Sequence, residues 1–288
     1  KQMALNDVVE AMEDAMGRLP KNPQVMNSAR ALEIPLEETE MVLWEESVGR
    51  ISVEYAYLYP PGSPYRIATS ATYRMRSPME YVTISKWCQN WLREEYHTEA
   101  VYLPNGIDPS FYPKRGRDLQ GKIRILIEGD CSAEHKNVDE SFRIVEQLDL
   151  EKFEIWYMSY NGNPKSWYRV DRFLHRVPYE KTPEVYAACD ILLKTSLLES
   201  FSYPPLEMMA SGGYVVAVPN GGNLEYLKDG ENCILYPQGN LAEAKAAIER
   251  ILTDAELRKK LDTGAEETVK ERNWKRIEPQ ILEQYLGK

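Results

Sequence analysis

Cysteine pairs are missing from this sequence. Cys88, Cys131, Cys189 and Cys233 are the only four cysteines in 288 residues, and no two of them form a CxxC. The sequence therefore offers neither a disulfide framework nor a zinc knuckle, and a reducing, cytoplasmic setting fits it best. No apolar run approaches the roughly 20 residues needed to span a bilayer, and Lys1 opens no recognisable signal peptide. Basic residues are outnumbered, 35 against 45 acidic ones, for a net charge of -10. A general affinity for nucleic acid or for an anionic lipid surface is therefore not expected. Repeats and low-complexity tracts are absent as well. What is present is a globular composition and enough chain for two domains, which could bury roughly three quarters of the unfolded surface.

From Gly121 onward, apolar runs alternate with amphipathic stretches. IRILIE (Ile123 to Glu128) reads as a buried strand and VDESFRIVEQL (Val138 to Leu148) as a helix with Phe142, Val145 and Leu148 on one face. FEIWYMS (Phe153 to Ser159) is a second strand. TPEVYAAC follows with Thr182 at an N-cap and Pro183 at the first helical position. Then come the strand DILLKTS (Asp190 to Ser196), a helix opening near Pro204 and the strand YVVAV (Tyr214 to Val218). The order predicts an α/β fold, with a parallel sheet covered on both faces. Leu241 to Leu261 reads as helical, as does Trp274 to Leu286 apart from Pro279.

The first 112 residues carry weaker signals. Lys1 to Leu19 shows an apolar stripe of Leu5, Val8, Met12 and Met16, and Ile34 to Glu46 suits a second, acidic helix. The stripe reads as ordinary core or as a docking face. RISVEYAYLYPPGSPY suggests a strand entering a Pro/Gly loop, EYVTIS another strand, and Lys86 to Tyr96 a helix. YLPNGIDPSFYP (Tyr102 to Pro113) is the expected interdomain linker.

The stretch KTSLLESFSYPPLEMMASGGYVV sets two carboxylates, Glu199 and Glu207, eight residues apart across a proline pair. Three readings compete. Each glutamate could be an ordinary surface or helix-start residue. The two could be the acid/base pair of a glycosidase, which needs carboxyls about 5 to 10 Å apart. Or the loop and helix N-terminus could hold a diphosphate through backbone N–H groups while the carboxylates accept sugar hydroxyls, with Lys136 and Lys194 as counter-charges. The third combination describes a sugar-nucleotide site.

ESFSYPPLEMMASGG resembles the E-x7-E region of the retaining GT-B glycosyltransferases of family 4. YLPNGIDPSFYP is similar to their PNGID stretch, EGDCSAEHKN to their glycine-to-lysine loop, VPNGGNLEYLKDGENCILYP to their GG-x-x-E segment, and the end near Trp274 to their last crossing helix. The resemblance covers about Val82 to Leu286. It implies two Rossmann-like lobes with a cleft between them: an abbreviated or partial acceptor-side lobe at 1–112, a nucleotide-sugar lobe at 113–270 and a helix at 271–288 crossing back. It also implies catalytic roles for Glu199, facing the donor sugar, and for Lys136, on the diphosphate. Glu207 would take the ribose or deoxyribose hydroxyls. Backbone amides of Ser200, Phe201 and Ser202 would grip the diphosphate, Val177 would meet the base through its backbone, and Gly221 and Gly222 would lie nearby.

This chain departs from the family pattern at three places. The second diphosphate clamp, usually an arginine, falls at Asp130 or Cys131. Lys194 stands in as its substitute or is a solvated strand residue. Asn105 comes early for a full acceptor domain, so that lobe is reduced or the chain is a fragment of a longer protein. His97, His135 and His175 all fall outside the place of the family's catalytic histidine and read as structural, with His135 the one to test. YPPGSPYRIATSATYRM with VTISKWCQNWL is similar to rhamnan-type enzymes of the family, which implies dTDP-rhamnose as donor.

The expected function is retaining transfer from a nucleoside diphosphate sugar to a saccharide acceptor in cell-surface glycan synthesis, in the cytoplasm or at the inner face of the membrane. No metal and no cofactor is implied. Nucleic acid is not an expected partner; a membrane surface or a partner protein would dock through the N-terminal lobe. Removing the Glu199 carboxylate is expected to lower turnover strongly with a small effect on folding. The alternative is a non-catalytic sugar-nucleotide-binding or scaffolding lobe that works with a partner chain. A glycosidase, or a phosphorylase using pyridoxal phosphate, is the third option.

Overall fold

The computed structural model describes residues 81–117 and 119–286. The stripes over Lys1 to Leu19 and Ile34 to Glu46, the strand and loop of residues 50–65, and the rhamnan-type segment 59–75 lie outside them. The chain divides into two compact units, Lys1–Leu103 and Pro104–Lys288.

In the first unit, strands β1 (Tyr81–Thr83) and β2 (Ala100–Tyr102) pair in parallel around helix α1 (Lys86–Tyr96). Ser85 starts the helix by accepting the Cys88 amide, and His97 ends it in a left-handed conformation at φ 48°. His97 is exposed and serves as a C-cap.

The second unit is built on six parallel strands: β3 (Ile123–Glu128), β4 (Phe153–Ser159), β5 (Arg172–His175), β6 (Ile191–Lys194), β7 (Tyr214–Ala217) and β8 (Ile234–Leu235). Their order across the sheet is β5-β4-β3-β6-β7-β8. Between them run helices α2 (Val138–Val145), α3 (Thr182–Ala188) and α4 (Tyr203–Ala210), followed by α5 (Leu241–Thr253), α6 (Ala255–Glu271) and α7 (Trp274–Leu286). β3, β6 and β7 are buried on both faces, which is why they read as near-continuous apolar runs. Ile125, Ile127, Phe142, Ile155, Leu193, Val216 and Ile248 meet in one core beneath α2 and α5.

Three expectations shift in detail. Thr182 is the first helical residue, not the N-cap, and its hydroxyl donates to the Tyr179 carbonyl. The helix predicted across Leu241 to Leu261 is two helices, broken where Asp254 caps α6 by accepting the Leu257 amide. The predicted linker contains a 3-10 turn, Pro109–Phe111, and a close strap: Ile107 donates to the Arg272 carbonyl at 2.7 Å and accepts from the Trp274 amide at 3.0 Å. Gly106 is required there. A Cβ would stand 2.8 Å from the Arg272 carbonyl oxygen and 3.0 Å from the Trp274 ring.

The strand order reverses between β3 and β6. Chain leaves β3 toward β4 on one side and leaves β6 toward β7 on the other, so the loops after these two strands diverge and open a crevice.

Candidate functional site

Both loops at that crevice carry candidate residues. The loop after β3 runs through a 3-10 turn, Glu134–Lys136, into α2; the loop after β6 runs from Thr195 to Ser202 into α4. They are tied at their backs. Thr195 donates to the Asn137 carbonyl and shares a hydrogen bond with Ser141, and the Leu197 amide donates to the His135 carbonyl at 2.8 Å. At the front, Lys136 Nζ reaches both carboxylate oxygens of Glu199 at 2.9 Å.

Behind this pair lies a second one, Lys194 with Glu128, that no sequence motif marks. Lys194, at the end of β6, is 1% exposed. Its ammonium donates to the carboxylate of Glu128 and to the Glu128 carbonyl at 3.2 Å, and stands 3.4 Å from Glu199 Oε1. It is therefore not a solvated strand residue. Burial alone would neutralise Lys194, but Glu128 and then Glu199 outweigh it and hold the ammonium above its usual value. Burial likewise pushes Glu199 up, and Lys194 and then Lys136 outweigh that, taking the carboxyl down to about 2. Two carboxylates and two ammonium groups thus form one balanced cluster. His135 borders it and is held below its usual value, first by burial and then by Lys136.

Helix α4 begins in an unusual way. Ser202 precedes it at φ 68° and ψ 79° and makes no side-chain cap. Pro204 and Pro205 have no N–H to offer, and the Leu206 amide is taken by the Tyr226 hydroxyl, which in turn donates to the Ser202 carbonyl. The helix itself contributes fewer free donors than its N-terminal position suggests. The donors that remain are the loop amides of Ser200, Phe201 and Ser202, which meet no acceptor among the described residues. Phe201 turns its ring into the interior against Tyr203 and Tyr226, with the Arg272 guanidinium 5.6 Å from it.

The glycine pair lies beside the same loop. A Cβ on Gly222 would stand 2.3 Å from the Glu199 carbonyl oxygen and 2.8 Å from the Phe201 nitrogen. Only glycine lets the 220–222 turn close against that backbone. Asn220 fixes the turn by donating to the Ser196 carbonyl and accepting the Gly222 and Asn223 amides.

Glu207 faces elsewhere. One turn into α4, it accepts a hydrogen bond from Tyr112 at 2.7 Å and another from the buried Tyr186. Burial raises its carboxyl above the usual value against the opposing effect of the two phenols. It lines a cavity of about 560 Å³ with Tyr112, Phe111, Tyr179, Tyr203 and Trp274. The rings of Phe111 and Tyr179 stack there, 5.4 Å apart. These aromatics were missed because their only sequence signal is a tyrosine-rich composition.

Val177 is half-buried in the loop after β5, two residues before Tyr179, and His175 is exposed and stacks on Phe173. Asp130, at the place of the missing arginine, accepts from the Ser132 amide and hydroxyl. It turns its own loop. Among the described residues no group of His, Cys, Asp and Glu is arranged to hold a metal ion, and no helix is long and apolar enough to cross a membrane.

Residues 171–268 match the family model for glycosyl transferases group 1. The O-antigen biosynthesis protein RfbC of Myxococcus xanthus is 28% identical over 198 residues, covering 66% of this chain and 15% of that protein. A D-inositol 3-phosphate glycosyltransferase of Corynebacterium aurimucosum is 27% identical over 158 residues, covering 55% of this chain and 34% of that protein. The chain spans less than two thirds of the length of these curated relatives. Among solved structures, HepE of Anabaena in complex with UDP-glucose superposes with a TM-score of 0.68 at 19% identity, over 81% of this chain and 70% of that one. Sucrose-phosphate synthase from Thermosynechococcus elongatus gives 0.67 at 17%, over 82% and 65%. These likenesses show the GT-B fold, and the family match and relatives support the group 1 glycosyltransferase family.

Proposed function

We propose that this chain carries the nucleotide-sugar site of a retaining glycosyltransferase that moves a sugar from a nucleoside diphosphate donor to a saccharide acceptor in cell-surface glycan synthesis. The observation that carries this reading is the Lys136–Glu199 pair at the sheet's switch point, beside three loop amides with no acceptor among the described residues. Such a place combines fixed donors for a diphosphate with a carboxylate for sugar hydroxyls.

In this reading the nucleoside enters the 560 Å³ cavity, its sugar hydroxyls on Glu207 and its base along Phe111 and Tyr179. The diphosphate lies on the amides of Ser200, Phe201 and Ser202. Lys136, a quarter exposed, turns from Glu199 toward it. The bond from the anomeric carbon to the phosphate oxygen breaks with its electron pair going to the diphosphate. The acceptor oxygen bonds that carbon on the same face, and its proton passes to the departing phosphate. Charge develops on the leaving group, so stabilisation comes from Lys136 and the loop amides, and Glu199 orients the donor sugar. dTDP-rhamnose is the proposed donor, and the cytoplasm or the inner face of the membrane the proposed place.

The test is a panel of UDP, GDP, ADP and dTDP sugars with saccharide acceptors, reading released nucleoside diphosphate. One donor is expected to be consumed, and at 100 times its dissociation constant to stabilise the fold by about 2.7 kcal/mol. Absence of both effects across the panel overturns the reading. Binding without turnover for any acceptor favours a binding lobe that needs a partner chain.

A further inference from the structure

The Lys194 ammonium has three hydrogens to donate, and three acceptor atoms surround it: the Glu128 carbonyl and carboxylate oxygens and Glu199 Oε1. At 1% exposure it has no open side from which a ligand could approach. Lys136 differs on each count. It is on a loop, a quarter exposed, and its acceptors are the two oxygens of a single carboxylate.

We propose that Lys194, braced by Glu128, is a positioning residue that holds Glu199 in place and ionised when Lys136 leaves it for the donor diphosphate, and that it does not itself take the part of a second diphosphate clamp. The inference rests on the sugar-nucleotide reading of the site. Without a second cation, the departure of Lys136 would leave Glu199 a buried carboxylate with no ion pair, a state that favours protonation and rotation away. Lys194 removes that penalty from inside the sheet, where substrate traffic cannot disturb it. The other groups facing Glu199 include the Ser196 hydroxyl on its own loop, His135 from the loop after β3 and Tyr226 from beyond the glycine pair, and none of these supplies a fixed positive charge.

Two variants separate the roles. Lys194→Met/Glu128→Gln removes one charge of each sign, so no unpaired ion from that pair stays buried. Its Glu199 carboxyl, followed by ¹³C NMR, is expected to titrate upward toward or past the unperturbed value of about 4.3, whereas wild type stays ionised well below it. This readout does not depend on turnover, so it survives failure of the functional reading. With an active donor, kcat should fall roughly tenfold with the donor KM within about twofold of wild type, and the acid limb of kcat should move up. Lys136→Met should instead raise the donor KM. A folded double variant with an unmoved Glu199 titration, or with a raised KM and unchanged kcat, overturns the proposal. Should the double variant not fold, ¹⁵N signals of the lysine ammonium groups in wild type decide: on adding UDP or dTDP the Lys136 signal should shift and that of Lys194 stay, and an equal shift at Lys194 refutes it.

Discussion

Glu199 and Glu207 lie at the two ends of one short stretch, yet the first faces two ammonium groups and the second faces two phenols. Both are largely withdrawn from water, so burial alone would raise both carboxyls. The partners decide the outcome. At Glu199 the lysines overcome burial and leave a carboxylate ionised at any ordinary pH; at Glu207 the hydroxyls of Tyr112 and Tyr186 fall short, and the carboxyl titrates higher than usual. One stretch thus provides a permanent charge at the crevice and a softer, hydrogen-bonding group in the aromatic cavity.

Removing the charge should give the largest effect. Glu199→Gln is expected to lower turnover by about 100- to 1,000-fold, the range for losing one oriented electrostatic contact, measured as nucleoside diphosphate release. The contact with buried Lys194 predicts a larger effect on folding than the sequence alone suggests. Lys194 loses one of its two carboxylates, and breaking part of a buried pair should cost about 2 kcal/mol, read from urea unfolding. Equal stability of variant and wild type would mean that Glu128 alone satisfies Lys194.

Gly222→Ala tests the backbone that carries Glu199. The added methyl would collide with the Glu199 carbonyl oxygen and the Phe201 nitrogen, both backbone atoms that cannot swing away. A loss of about 1 to 3 kcal/mol is expected, with the pairing of Glu199 and Lys136 disturbed and nucleotide affinity reduced. The same change at Gly239, with open space around its Cβ position but φ 78°, should cost only local backbone strain. If the two variants lose nucleotide affinity equally, close packing at Gly222 is not what matters.

The two ends also differ in how far they could be read from the sequence. Lys136 and Glu199 stood out because their spacing within flanking motifs is local, and the strands that bring the two loops together are apolar runs of unmistakable pattern. The counter-ion of Lys194 did not. Glu128 is 66 positions away, at the end of the neighbouring strand, and only the β3–β6 register puts the two side by side. A lysine inside an apolar strand was the one hint. Tyr112 reaches Glu207 across 95 positions, and the Gly106 strap to Trp274 spans the whole unit. The helix start misled in the other direction: Pro204 and Pro205 do open α4, but by lacking N–H groups they pass the donor role to the loop before it.

The smallest effect, and the sharpest test of the contrast, is in the pH dependence of stability. Glutamine does not titrate, so the stability difference between wild type and each variant isolates one carboxyl. The folded Glu199 value of about 2 lies below the unfolded value, so its contribution is present above about pH 4.3 and disappears as pH falls toward 2. The folded Glu207 value lies above the unfolded one, so its contribution is fully present below about pH 4.3 and disappears as pH rises through the raised value. Plotted against pH, the Glu199→Gln difference should climb as pH rises from 2, whereas the Glu207→Gln difference should decline above 4.3. At neutral pH, Glu207→Gln is then expected to be within about 1 kcal/mol of wild type, because an amide oxygen can accept the same Tyr112 and Tyr186 hydrogen bonds without a buried charge. Parallel slopes in the two experiments would show that burial, and not the choice of lysine or tyrosine as partner, sets both carboxyls.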